Sequence, residues 1–145
     1  MPTLIVRGLR GEWPPLVNPE TARDYIHVDD VVSAYLLAAQ GPKEEPGAIY
    51  NLGTGMQVRL REVIEIAGRA MAIPAEPKWG SMPSRQWDTN CWVADSRLIR
   101  EKLRWCPRYN FEDGFRQMLE WFVRNREILG FYEKIYSASA RLPLG

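Results

Sequence analysis

Two stretches concentrate the side chains that could do chemistry. The first is Arg23-Asp24-Tyr25-Ile26-His27-Val28-Asp29-Asp30, an arginine, a histidine and three carboxylates set around apolar residues. The second is Met82-Pro83-Ser84-Arg85-Gln86-Trp87-Asp88, followed by Asn90 and Trp92. An arginine that ends a proline-rich loop and opens a strand can face a cleft, where its fork suits a diphosphate. Spacing alone favours a plainer role for Arg23, an ion pair with Asp24 or Asp29. His27 has no Ser, Cys or second His beside it to activate, so it reads as a structural residue. Asp29 and Asp30 read as helix caps rather than as an acid/base pair. The second stretch mixes a cation, a carboxylate, an amide and two indoles, which suits a polar ligand with a flat or sugar-like face. An ordered loop whose tryptophans cover the core accounts for it equally well.

Other chemistries are poorly supplied. Cys91 and Cys106 form no C-x-x-C pair, and the single histidine cannot complete a common zinc set with them. No metal site is expected. Gly53-Thr54-Gly55 lacks the third glycine of a G-x-G-x-x-G dinucleotide loop, since Val58 stands there. The two glycines read as turn residues. No cofactor-binding residue is expected in this chain. Nineteen Lys plus Arg against 18 Asp plus Glu leave a formal charge of +1, which gives no pull toward nucleic acid or an anionic membrane.

The elements that must position these residues follow from the patterning. Leu4-Ile5-Val6 reads as a short strand. Residues 8–19 are broken by Gly11, Pro14, Pro15 and Pro19. Tyr25, Ile26 and Val28 read as a second strand running into a helix over 31–40, with Asp29 and Asp30 at its cap. That helix is apolar on nearly every side, so burial on both faces is expected. Residues 48–52 read as an apolar strand. Leu60, Val63, Ile64, Ala67, Ala70 and Met71 mark one face of a second helix. Residues 81–92 are irregular. Asp95 looks like the cap of a helix carrying Leu98, Ile99 and Leu103, and Asn110 with Asp113 resembles a capping box. Phe111, Phe115, Met118, Leu119, Phe122 and Val123 give a third helical stripe that can run past Gly130 to Tyr136.

The chain has 145 residues, 46% hydrophobic and 26% charged, which is ordinary for one globular domain with a real core. A single domain over 1–136 with a frayed tail over 137–145 is expected. The first residues carry too short an apolar run for a signal peptide, and no run reaches membrane-span length. A cytoplasmic protein with two reduced thiols fits these bounds.

Taken in order, "RDYIHVDDVVSAYLLAA", "GAIYNLGTG", "LREVIEIAGRAM", "MPSRQWDTNCWVADSRLIREKLRW" and "FEDGFRQMLEWF" resemble the NAD-dependent epimerases and dehydratases of nucleotide sugars. These are extended short-chain dehydrogenase/reductases. The resemblance runs from about Leu4 to about Arg124 and concerns the second half of such enzymes. It implies a mixed α/β fold, the C-terminal part of a Rossmann-type enzyme without its NAD-binding first half. The family's first half carries a glycine-rich NAD loop and a Tyr-x-x-x-Lys pair, and no Tyr here has a Lys four positions later. No catalytic residue is therefore expected, and NAD(P) is the family's cofactor rather than one this chain holds alone.

The resemblance also implies a substrate site for a nucleotide sugar. Arg23 takes the place of the arginine that contacts the diphosphate. Arg85 and Asp88 resemble the R-x-x-D pair that holds the diphosphate and the nucleotide. Trp92 falls where an aromatic borders the sugar pocket. Arg59 stands where the family usually caps a helix with Ser or Thr. In the family the 31–40 helix and the 48–52 strand belong to the large NAD-binding domain. Their partners are not in this sequence, so a homo-oligomer or a separate NAD-binding chain is expected to cover them. Two other readings stand beside a nucleotide-sugar-binding segment: a non-catalytic interaction or scaffold domain, and a subunit completed by a separate NAD-binding chain.

Overall fold

The computed structural model describes residues 1–40, 47–83 and 91–139. Pro2 opens the first helix, α1 (Pro2–Gly8), where its fixed φ suits the first turn and its missing N–H is not needed. Leu4, Ile5, Val6 and Gly8 of this helix are buried. The strand expected at Leu4-Ile5-Val6 is therefore a helix. A β-branched pair favours a strand only where a neighbouring strand offers a ladder, and here the surroundings are helices. Gly8 lets α1 approach closely, because a Cβ there would sit 2.3 Å from the Met71 terminal methyl carbon.

Met71 ends α3 (Leu60–Met71), whose inner face is Val63, Ile64 and Ala67. This is the stripe expected from the sequence, shifted by no more than a residue. Arg59 precedes the helix, and its N–H donates to Glu62 Oε2 at 2.7 Å, so one half of a capping box survives without a Ser or Thr. Asn110 caps α5 (Phe111–Arg124) by accepting from the Asp113 N–H at 2.9 Å and donating to the Asp113 carboxylate at 2.8 Å. The third stripe then breaks at Asn125 and resumes as α6 (Arg126–Ser139). Helices α1, α3, α5 and α6 share one core, centred on Ile5, Val63, Phe115 and Phe122.

A second, smaller core joins α2 (Val28–Gln40) to α4 (Arg97–Leu103) through Ala34, Ile99 and Trp105. Helix α2 begins at Val28, three residues earlier than expected. His27, not Asp29 or Asp30, stands at its mouth: its Nδ1 accepts from the Asp29 N–H at 3.3 Å and its carbonyl from the Asp30 N–H at 3.1 Å. Within the chain α2 is buried on one side. Only Asp30 and Ala34 are buried, while Tyr35 is 71% and Leu36 56% exposed. Nothing among the described residues covers that face.

The described strands are two residues long: β1 (Ala22–Arg23), β2 (Val58–Arg59) and β3 (Cys91–Trp92), in the order β2-β1-β3. β1 runs antiparallel to β2 and parallel to β3. Residues 25–28 and 48–52, expected as strands, form no ladder, since an extended segment becomes a strand only when another pairs with it. The whole is a mixed helix and small-sheet assembly.

Candidate functional site

The short sheet brings two of the expected site residues together. Arg23 of β1 is in register with Trp92 of β3 on one side and Val58 of β2 on the other. Partners in register on neighbouring strands project to the same face, with backbones about 4.8 Å apart. Arg23 is half-buried, and its Nη1 donates to the Ala22 carbonyl at 2.7 Å, while Trp92 is 59% exposed. The register thus sets an arginine and an open indole on adjacent strand positions. Such a pair offers charge-assisted hydrogen bonds to an anion and an apolar face to a ring. Arg85 and Asp88, the other two expected site residues, lie outside the described residues. Asp88 precedes β3 by three positions in the chain.

Asp24, next to Arg23, is spoken for by other groups. Its Oδ1 accepts from the Thr54 N–H at 2.9 Å and from the Thr54 hydroxyl at 2.5 Å. Its Oδ2 accepts from the Gly55 N–H at 3.0 Å and the Ala94 N–H at 3.2 Å. Partial burial pushes this carboxyl up, but the four donors outweigh it and hold the pKa below the ordinary value. Tyr25, on the other side, has its phenol pushed up by burial, with the charge of Arg23 pulling it partly back.

The turn at 53–55 has the geometry of an anchor and not of a phosphate cradle. The N–H groups of Thr54 and Gly55 both point at Asp24, so neither is available to a pyrophosphate. Gly55 takes φ +76°, as the tight turn requires. Gly53 is needed for proximity, because a Cβ there would lie 2.5 Å from both Asp24 Oδ2 and Ala94 Cβ.

His27 and Asp30 serve the scaffold. The His27 ring packs on Tyr109 at 4.4 Å between centroids and faces Gly114, where a Cβ would come within 3.1 Å. Asp30 is wholly buried and accepts from the backbone N–H groups of Arg108 and Tyr109 at 3.0 and 3.2 Å. Its carbonyl accepts from the Trp105 indole at 3.0 Å. Sequence reasoning missed both tethers, Asp24 and Asp30. Their partners stand 30 to 79 positions away, and no local pattern links them.

A cavity of about 770 Å³ opens between residues 25–29 and the helices α5 and α6. Its walls are largely apolar, with Tyr25, Phe111, Trp121 and Tyr132 among them, and neither Arg23 nor Trp92 lines it. It is a separate hollow from the sheet face. Among the described residues no group of three or more His, Cys, Asp or Glu could hold a metal ion, and no helix is long and apolar enough to cross a membrane.

The sequence pattern of the GDP-mannose 4,6 dehydratase family matches residues 2–118. The UDP-glucose 4-epimerase of Mycolicibacterium smegmatis is 35% identical over 104 residues, 72% of this chain and 32% of that protein. The structure of the UDP-glucose 4-epimerase of Thermotoga maritima with UDP-glucose superposes with a TM-score of 0.73 at 30% identity, covering 85% of this chain and 38% of that one. MoeE5 in complex with UDP-glucuronic acid and NAD gives a TM-score of 0.74, also at 30% identity, over 85% of this chain and 40% of that one. The chain spans about a third of the M. smegmatis relative and 19% of a trifunctional Arabidopsis thaliana relative that it matches over 131 residues.

Proposed function

The chain belongs to the GDP-mannose 4,6-dehydratase family of NAD-dependent nucleotide-sugar epimerases and dehydratases, and on that footing we propose that it is the nucleotide-sugar-binding segment of such an enzyme. The observation that carries this reading is the register of β1 and β3, which sets Arg23 beside Trp92 on one sheet face. Arg23 binds the diphosphate, and Trp92 borders the sugar. Arg85 and Asp88, just upstream of β3 in the sequence, complete the clamp on the diphosphate and the nucleotide. The chain's own contribution is to bind and orient the substrate. In this reading NAD(P) and the groups that use it belong to an NAD-binding portion; the commitment of the Thr54 and Gly55 N–H groups to Asp24 supports it. Calorimetric titration with UDP-, GDP-, CDP- and dTDP-sugars tests this. Binding of at least one at micromolar concentration is expected, and silence across the panel overturns the reading.

One observation favours a second reading beside it, a subunit completed by a separate NAD-binding chain or by its own copy. The outer face of α2 presents Val32, Tyr35 and Leu36 to solvent, and Ile49 nearby in sequence is 84% exposed. Apolar patches of that kind on a folded domain mark a surface that another body covers. A non-catalytic scaffold domain presents the same face. Affinity for a nucleotide sugar separates it from the other two.

A further inference from the structure

We propose that Asp24 is the positioning residue of the Arg23–Trp92 face: it sets the spacing between the strand that carries the diphosphate-binding arginine and the strand that carries the indole. The inference rests on the nucleotide-sugar reading and deepens it. Among the described residues β1 and β3 share two residue pairs, Ala22 with Cys91 and Arg23 with Trp92. Each ladder hydrogen bond contributes only a modest net stability, so these two pairs gain from a further tether. The Asp24 carboxylate supplies what the ladder lacks. It immediately follows Arg23 in the chain, and its Oδ2 takes the N–H of Ala94, two residues beyond Trp92, at 3.2 Å. The same oxygen takes the Gly55 N–H, and the other oxygen takes both donors of Thr54. One carboxylate therefore ties three separate segments at the end of the sheet. Gly53 makes room for it, since a Cβ there would meet Asp24 Oδ2 and Ala94 Cβ together. Because four donors occupy this anion, its charge is turned toward the scaffold.

All four incoming groups are donors, so the site demands an acceptor on both oxygens. An asparagine offers one acceptor and one donor, and whichever way its amide lies, an N–H faces an N–H. The test is Asp24→Asn with two readouts in the 145-residue chain. The first is affinity for the nucleoside diphosphate that binds the wild type most tightly in the calorimetric panel, compared with its monophosphate. A fall of at least tenfold in the diphosphate-to-monophosphate ratio is expected, whereas a general loss of structure weakens both alike. The second is amide hydrogen exchange. At least one of the Thr54, Gly55 and Ala94 amides should exchange tenfold faster or more, with Ile64 and Phe115 in the main core unchanged. Thr54→Val removes only the hydroxyl donor and should change the ratio less than threefold. If Asp24→Asn does not fold, Gly53→Ala carries the test, because its new methyl displaces the carboxylate and should lower the same ratio. An unchanged ratio in a folded variant, or unchanged exchange at all three amides, overturns the proposal. If the wild type binds no nucleotide, the functional reading fails, and the exchange data still decide whether Asp24 sets the spacing.

Discussion

At the scale of single residues, Arg23 and Asp24 are neighbours with opposite duties. The carboxylate faces backbone donors, and the arginine is proposed to face a diphosphate. Charge-assisted hydrogen bonds contribute roughly 1.5–3 kcal/mol, so Arg23→Ala should weaken nucleotide-diphosphate binding tenfold or more in a calorimetric titration. Asp24 makes a prediction in pH. Its folded pKa lies below the ordinary aspartate value of 3.8, because the donors of Thr54, Gly55 and Ala94 outweigh the cost of burial. Its contribution to stability is therefore present above that value and is lost as pH falls through the lower folded one. The stability gap between wild type and Asp24→Asn should be widest at pH 6–7 and should narrow toward pH 3, read from urea unfolding at each pH. A gap that widens in acid contradicts this assignment. The sequence presents both residues as a cluster with Asp29 and Asp30, and it favours an ion pair for Arg23. Which carboxylate turns where depends on donors supplied by residues 54, 55 and 94, so no local spacing could reveal it.

At the scale of elements, the amphipathic stripes of α3 and α5 are legible because a helix shows its buried face every three to four residues. The short elements are not. Leu4-Ile5-Val6 has the composition of a strand and the surroundings of a helix. Residues 48–52 have the composition of a strand and no described partner. Two element ends carry testable costs. Ala72 closes α3 in the left-handed region at φ 50°, ψ 46°, which disfavours any residue with a Cβ by about 1 kcal/mol. Ala72→Gly should raise the melting temperature by about 3 °C. The opposite sign is expected at the start of α2, where Asp30 ties the helix to the loop before α5. Asp30→Ala strands two backbone donors at Arg108 and Tyr109, each costing about 1–3 kcal/mol. Its loss should be visible as a clear drop in the chemical denaturation midpoint, whereas a midpoint within error of wild type would show that the loop repacks without the carboxylate.

At the scale of the whole molecule, the question is what lies against α2. The chain covers 38% of the Thermotoga epimerase and 40% of MoeE5, and the apolar residues it leaves open on and near α2 include Val32, Tyr35, Leu36 and Ile49. We expect the isolated chain to sediment as a dimer or larger at low micromolar concentration, through the outer face of α2 and the segment around Tyr50. A clean monomer with well-dispersed amide signals removes that expectation. The isolated chain should also show no micromolar affinity for NAD by calorimetry. The sequence by itself determined the family and the helical stripes, because both are a matter of residue type, motif order and short-range period. Only the tertiary structure decided that Arg23 is in register with Trp92, that Asp24 binds the 53–55 turn, and that the outer face of α2 is open among the described residues. Those facts depend on partners dozens of residues apart in the chain, and a helix that is apolar all round reads the same whether its cover is present or absent.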